Sequence, residues 1–248
     1  MKVISSVKLA IIAICVAFVT SKMFLEDDSL SQIQEYDFYV FSLGWSDTYC
    51  RHEHEESKER CFSDLHNLKN HNILRIHGLW PSLLNHKMMD DCNKGKHINI
   101  PKSSEYPFDF MAEYWPSLGH FNTQSFWEHE YNKHGYCFSQ KNKDTSYVPY
   151  FSKAVEIYKK EKFDSLITAS FEKLQKDNSV TYTELTDKLS KHLGSTFFDL
   201  ICTPIKGEGQ HLSEIRFYYD LDFKRMNDFT YHTNCDKTKP LIFHTDKI

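Results

Sequence analysis

The chain has 248 residues, 40% of them hydrophobic and 15% aromatic, which is enough apolar material to bury a sizeable core in one or two domains. Its 30 basic and 34 acidic side chains leave a net charge of −4, a poor balance for a polyanion binder at neutral pH. The 14 histidines qualify that exclusion, because with ordinary pKa values near 6.5 most of them would be charged at about pH 5. An acidic working compartment would therefore reconcile a polyanionic substrate with an acidic chain.

Lys2 and Lys8 flank a short basic start, Leu9 to Val19 is an unbroken apolar run, and Val19-Thr20-Ser21 offers small residues for cleavage. Such a run is too short to span a bilayer and suits a secretory signal peptide, so 1–21 is read as a leader and 22–248 as the mature domain. Without Lys2 and Lys8 the net charge becomes −6. Cys15 falls in the leader, leaving Cys50, Cys61, Cys92, Cys137, Cys202 and Cys235. An even set in a secreted chain reads as three disulfides, with the pairing left open by the residues alone.

Glu26 to Glu35 is polar and reads as a loose arm, and Tyr36 to Trp45 is aromatic and β-branched-rich, a buried strand. The charge run Arg51 to Arg60, between Cys50 and Cys61, admits a phosphate-binding patch or a solvated loop closed by a local disulfide. Its mixed signs favour the loop. Leu74 to His77 is a second short strand entering a turn at Gly78, and Phe108 to Trp115 is a helix stopped by Pro116. Phe126 to His134 forms a helix ending at Gly135, and apolar residues recur at helical spacing from Phe151 to Leu174. Thr181 and Glu184 form a capping box opening a helix to Leu193, with Gly194 behind it, and Ile215 to Leu221 reads as a late strand. Helices interleaved with irregularly spaced strands predict a single α+β domain.

Within the helix at 126–134, Glu130 and His134 lie four residues apart on one face, with Lys133 three from Glu130. A carboxylate raises the basicity of a neighbouring imidazole, and a lysine keeps the carboxylate ionised. An exposed helix with an ordinary ion pair is the competing reading. His129-Glu130 begins like a zinc-protease motif, but the next histidine comes five residues on, about 140° round the helix, so no metal site is expected. His77, between Ile76 and Gly78 with Trp80-Pro81 following, taken alone suits a core histidine at a turn. Two imidazoles, an acid and a lysine, with no nucleophilic serine or cysteine beside them, are the groups that move protons around a phosphodiester.

Together, LRIHGLWPS (74–82) and FWEHEYNKHGYC (126–137) resemble the two active-site signatures of the ribonuclease T(2) family, secreted and endolysosomal ribonucleases. FSLGWSDTYC resembles the first strand of that family, EYWPSL its preceding helix and EIRFYYD its last core strand, so the resemblance covers most of 36–235. It implies a central antiparallel sheet flanked by several helices, and cofactor-free cleavage of single-stranded RNA, not DNA. His134 would be the general base on the ribose 2′-OH and His77 the general acid on the departing 5′-oxygen. Lys133 and Glu130 would stabilise the phosphorane, His129 would bind phosphate, and Trp80 would stack on a base, with plain core packing as its competing role. Trp45, Trp115 and Trp127 are assigned to the core. The resemblance further implies the pairs Cys92–Cys137, Cys50–Cys61 and Cys202–Cys235.

The chain departs from the family where Gly44-Trp45-Ser46 replaces a frequent Gln-Trp-Pro, where Ser82 follows Pro81, and where Tyr131 replaces a frequent tryptophan. Tyr218 and Tyr219 stand where many members carry a further disulfide. Base preference is therefore left open. A secreted or endolysosomal monomer acting on RNA is expected, with a secreted effector acting through a receptor on the same fold as the alternative.

Overall fold

The hub of the fold is β1 (Phe38–Trp45), whose residues FYVFSLGW are buried at every position but Gly44. A strand enclosed on both faces carries a near-continuous apolar run in place of a strict alternation, which is what this segment shows. The computed structural model describes residues 35–52, 55–69, 73–85, 87–90, 92, 97–102, 105–117, 122–144, 146–166, 179–229, 233–242 and 244, and the expected leader and most of the polar arm lie outside them. From Tyr36 onward the chain is one compact unit. Among the described residues no helix is long and apolar enough to cross a membrane.

On one side β1 pairs antiparallel with β2 (Leu74–Ser82), and on the other with β5 (Gly209–Tyr219). β4 (Asp199–Ile205) pairs antiparallel with β5. Two short strands, β3 (Ser179–Val180) and β6 (Leu241–Ile242), extend the sheet. The sheet is mixed, not purely antiparallel, because β6 runs parallel to Gln210 and His211 of β5. β1 pairs only with residues 214–219 of β5, which leaves the earlier part of that edge for β6.

The helices are α1 (Ser46–His52), α2 (Glu55–His66), α3 (Phe108–Tyr114), α4 (Thr123–Glu130), α5 (Tyr136–Lys141), α6 (Val148–Lys160) and α7 (Tyr182–Leu193). α7 follows the sequence closely: Thr181 accepts from the Glu184 N–H, and Gly194 takes the left-handed conformation at φ 63°. The helical pattern from Phe151 breaks at Lys162, φ 54°, after which Phe163 and Leu166 are buried, and 167–174 lies outside the described residues. The charge run at 51–60 is not a loop. Its described residues, 51–52 and 55–60, lie in α1 and α2, since Glu, Lys and Arg without glycine or proline favour helix even where no apolar stripe demands one.

Three disulfides form, Cys50–Cys61, Cys92–Cys137 and Cys202–Cys235, with Cα separations of 5.3, 5.2 and 5.1 Å. The first joins α1 to α2. Trp45, Trp115 and Trp127 are at most 2% exposed and belong to the aromatic core between the sheet and α3, α4 and α6.

Candidate active site

Two irregularities in the sheet build the site. In the β1–β2 ladder Ser42 faces Gly78 and Leu43 faces Ile76, so His77 is the extra residue of a bulge. In the β4–β5 ladder Ile201 faces Glu214 and Cys202 faces Leu212, so Ser213 is skipped. Bulges re-aim side chains out of the regular alternation, and here they bring His77 Nδ1 to 2.6 Å from Glu214 Oε1. Glu214 Oε2 accepts from Arg216 Nε at 2.8 Å and Nη2 at 2.6 Å, and from Ser42 Oγ at 3.0 Å. From behind, Trp115 Nε1 donates to the His77 carbonyl at 2.9 Å, and Trp127 Nε1 to the Trp115 carbonyl at 2.6 Å.

His134 comes from the other wall. α4 starts at Thr123, capped by Asn122, whose side chain accepts from Ser125 N–H, and runs to Glu130. The chain then passes through a wider π turn, Tyr131–Gly135, directly into α5. Gly135 does not stop the helix; its φ of −64° is right-handed. A side chain there would crowd the rings of Tyr131 and Tyr150, which is the reason for glycine at this place. His134 is 4% exposed, and its Nδ1 lies 2.9 Å from the Met89 carbonyl. A carbonyl can only accept, so Nδ1 carries the proton of neutral His134 and Nε2 is left bare.

Glu130, 2% exposed, joins the two walls: Oε2 accepts from Trp80 Nε1 at 2.9 Å, and Oε1 lies 3.9 Å from His77 Nε2. The ring centroids of His77 and His134 lie 5.0 and 5.5 Å from that of Trp80. Trp80 is 4% exposed with the Arg216 guanidinium 5.3 Å over its ring, so a stacking base would have to displace that guanidinium. Gly78 permits this packing, because a Cβ on it would collide with Trp80 Nε1 and Glu130 Oε2. Gly78→Ala is expected to cost about 1–3 kcal/mol in urea unfolding. It should also push Glu130 away from His77.

The electrostatics sort the two imidazoles. Burial pushes the His134 pKa down to about 3, with Lys133, His77 and His129 adding to the effect and the Met89 carbonyl opposing it. Burial also acts to lower the His77 pKa, but Glu214 and then Glu130 outweigh it, and the net shift is upward. That His77 side chain is 39% exposed, which weakens the burial effect and strengthens this direction. Burial would raise Glu214 as well, yet His77 and Arg216 pull it down to about 2. Glu130 is raised, burial prevailing over His77, the Trp80 N–H and Lys133.

His77, His129, Glu130, Glu214 and Arg216 line one cleft of about 420 Å³, with Phe126 at its edge. His129 is exposed at the end of α4, and Lys133 is half-buried on the π turn. Ser82 is fully buried and donates to the Trp80 carbonyl, whereas Gly44 lines the cleft. Sequence reading missed Glu214 and Arg216. Their one signal was a charged pair, two apart, in an otherwise apolar late strand.

The profile of the Ribonuclease T2 family matches residues 36–240, and the chain belongs to that family. It is 34% identical to Ribonuclease T2-A of Mus musculus over 114 residues, 45% of this chain and 40% of that protein. The match thus spans well under half of the mouse relative. It is 28% identical to Ribonuclease S-2 of Nicotiana alata over 226 residues, 88% of this chain and 94% of the other. In fold it is similar to the self-incompatibility associated SF11-RNase of Nicotiana alata, with TM-score 0.65 at 22% identity, over 85% of this chain and 100% of that one. It is also similar to a mutant of RNase MC1 in complex with 5′-GMP, with TM-score 0.63 at 20% identity, over 84% and 100%.

Proposed function

We propose that this chain is an endoribonuclease that cleaves single-stranded RNA by transphosphorylation. The reading is carried by two imidazoles packed on one indole, one held neutral and the other biased towards its charged form. His134 Nε2 takes the proton of the ribose 2′-OH, and the oxygen attacks its own phosphorus. His77, protonated on both nitrogens, keeps Nδ1–H on Glu214 and gives the Nε2 proton to the departing 5′-oxygen. The chain is cut into a 2′,3′-cyclic phosphate and a 5′-hydroxyl. Hydrolysis of the cyclic ester to a 3′-phosphate follows with the histidine roles reversed. Lys133 and Glu130 stabilise charge on the phosphorane, and the exposed His129 binds phosphate. DNA, without a 2′-OH, is not cut. Base and acid are both imidazoles, so this proton transfer needs no metal.

Catalysis requires His134 neutral and His77 protonated. Activity therefore rises with pH through about 3, where His134 loses its proton, and falls through the raised His77 pKa, above 6.5. Glu214→Gln is expected to keep the hydrogen bond but remove the charge. The alkaline limb of the kcat/KM profile should move to lower pH by about one unit, with the acid limb unmoved. A merely structural role for Glu214 would scale both limbs together.

Residues 1–21 as a leader and three disulfides support work in an oxidising secretory or endolysosomal lumen. The deciding experiment is cleavage of a short single-stranded RNA against its all-deoxy twin across pH 4 to 8 with chelator present, read by mass spectrometry. RNA-only cleavage with cyclic-phosphate ends is the expected result. No cleavage by folded, disulfide-intact protein would end the enzyme reading.

A further inference from the structure

Outside the cleft, one cluster of ligating side chains among the described residues has no part in the chemistry above. Glu208 ends the turn between β4 and β5, His211 lies on β5, and His244 follows β6. One ligand atom from each lies within 4.8 Å of the others. None of the three lines the active-site cleft.

We infer that Glu208, His211 and His244 form a binding site for a zinc-like divalent cation. His211 is completely buried, and neither of its ring nitrogens has a hydrogen-bond partner among the described residues. His244 Nε2 is likewise buried without one. Buried polar atoms are nearly always satisfied, so the orphaned Nε2 atoms of His211 and His244, both beside Glu208, point to a missing partner that one ion would supply. The contacts with the carboxylate point the same way. His211 Nε2 and His244 Nε2 lie 3.4 and 3.7 Å from Glu208 Oε2, the same oxygen, yet neither makes a hydrogen bond to it.

Such spacing suits co-ligands. Around an ion with bonds of about 2.0–2.1 Å, tetrahedral ligand atoms stand roughly 3.4 Å apart. Two imidazoles and one carboxylate favour zinc over the hard cations magnesium and calcium, which prefer oxygen ligands. Glu208 is 39% exposed, so a water can reach the fourth position from that side. The Arg51 guanidinium, 3.9 Å from Glu208 Oε2, opposes a cation here, and it is already engaged by Asp47 at 2.7 Å. The His244 carbonyl accepts from Trp45 Nε1 at 3.2 Å, which fixes its backbone beside the site. The bound ion ties the segment after β6 to the start of β5.

The test uses the full mature chain, stripped with chelator, given Zn²⁺, freed of unbound metal by gel filtration, and analysed for zinc per protein. Competition with a chromophoric chelator supplies the affinity. One zinc per chain is expected, with affinity lowered at least 100-fold in both His244→Ala and Glu208→Gln. Neither residue lies in the catalytic cleft, so RNA cleavage and circular dichroism should be retained. Both positions are partly exposed, so at least one variant should fold even if the other does not. Failure of the wild type to retain zinc would overturn the inference. So would wild-type affinity in either folded variant, which would place the ion on the histidines of the cleft.

Discussion

His134→Ala is expected to lower kcat for single-stranded RNA by about 10²–10⁴-fold, the usual contribution of a positioned general base. His77→Ala should cost a similar factor on RNA, and the double variant little more than either alone, because acid and base serve one step. The two are separable by the leaving group. A ribonucleoside 3′-phosphate ester of a good leaving group, such as a nitrophenol, needs no general acid. Towards it His77→Ala should recover most of its activity, while His134→Ala stays impaired. Stopped or continuous absorbance assays read this directly. Equal recovery in both variants would mean that the roles assigned to the imidazoles are wrong. The same His134→Ala protein separates cleavage from any receptor-mediated effect, since it should lose the first and keep the second.

Removing the Cys92–Cys137 bridge is expected to have the largest effect on stability. The bridged residues are 45 apart in sequence. In the chain-entropy view, opening a loop of this length costs about 4 kcal/mol. For a domain of this size that corresponds to a fall in Tm of roughly 8–16 °C. Calorimetry of the Cys92→Ser/Cys137→Ser variant measures it. Activity should fall as well, for a local reason. Cys92 comes three residues after Met89, and Cys137 three after His134. The bridge therefore holds together the carbonyl and the imidazole whose 2.9 Å hydrogen bond fixes the tautomer of His134. Opening Cys50–Cys61, with a separation of only 11 and no contact with that hydrogen bond, should cost about 3 kcal/mol and leave kcat nearly unchanged.

Features that depend on neighbours in sequence were readable before any coordinates. The N-cap at Thr181 and the left-handed Gly194 are local, and the structure shows both, whereas the carboxylate of Glu130, read as the neighbour of His134, lies towards His77. Gly135 misled because a glycine after a helix usually marks a stop, whereas here it answers to crowding by Tyr131 and Tyr150. The strand β4 escaped notice because DLICTPI has no clean alternation and carries Pro204. Glu214 was unreadable for a different reason. Its partner His77 is 137 residues away, and the contact depends on two bulges that leave no mark in the residue pattern. The charge run at 51–60 was misjudged because its mixed signs drew attention from its strong helix propensity.

The wide turn at Tyr131–Gly135 sets the rotational phase of everything after it. At Tyr136 the backbone N–H reaches back to the Tyr131 carbonyl, five residues earlier, so the segment holds one residue more than a regular helix would need. Deleting one residue there would let the turn relax to a regular helix with α5 near its present phase, whereas inserting one more would rotate α5 by about 100°. Cys137 and Phe138, both buried, would swing off the core, and the cysteine would no longer meet Cys92. His134 and the covalent staple are thus geared together. Between Glu130 and Cys137 the chain already holds its surplus residue, so this stretch should tolerate conservative replacements far better than a further insertion.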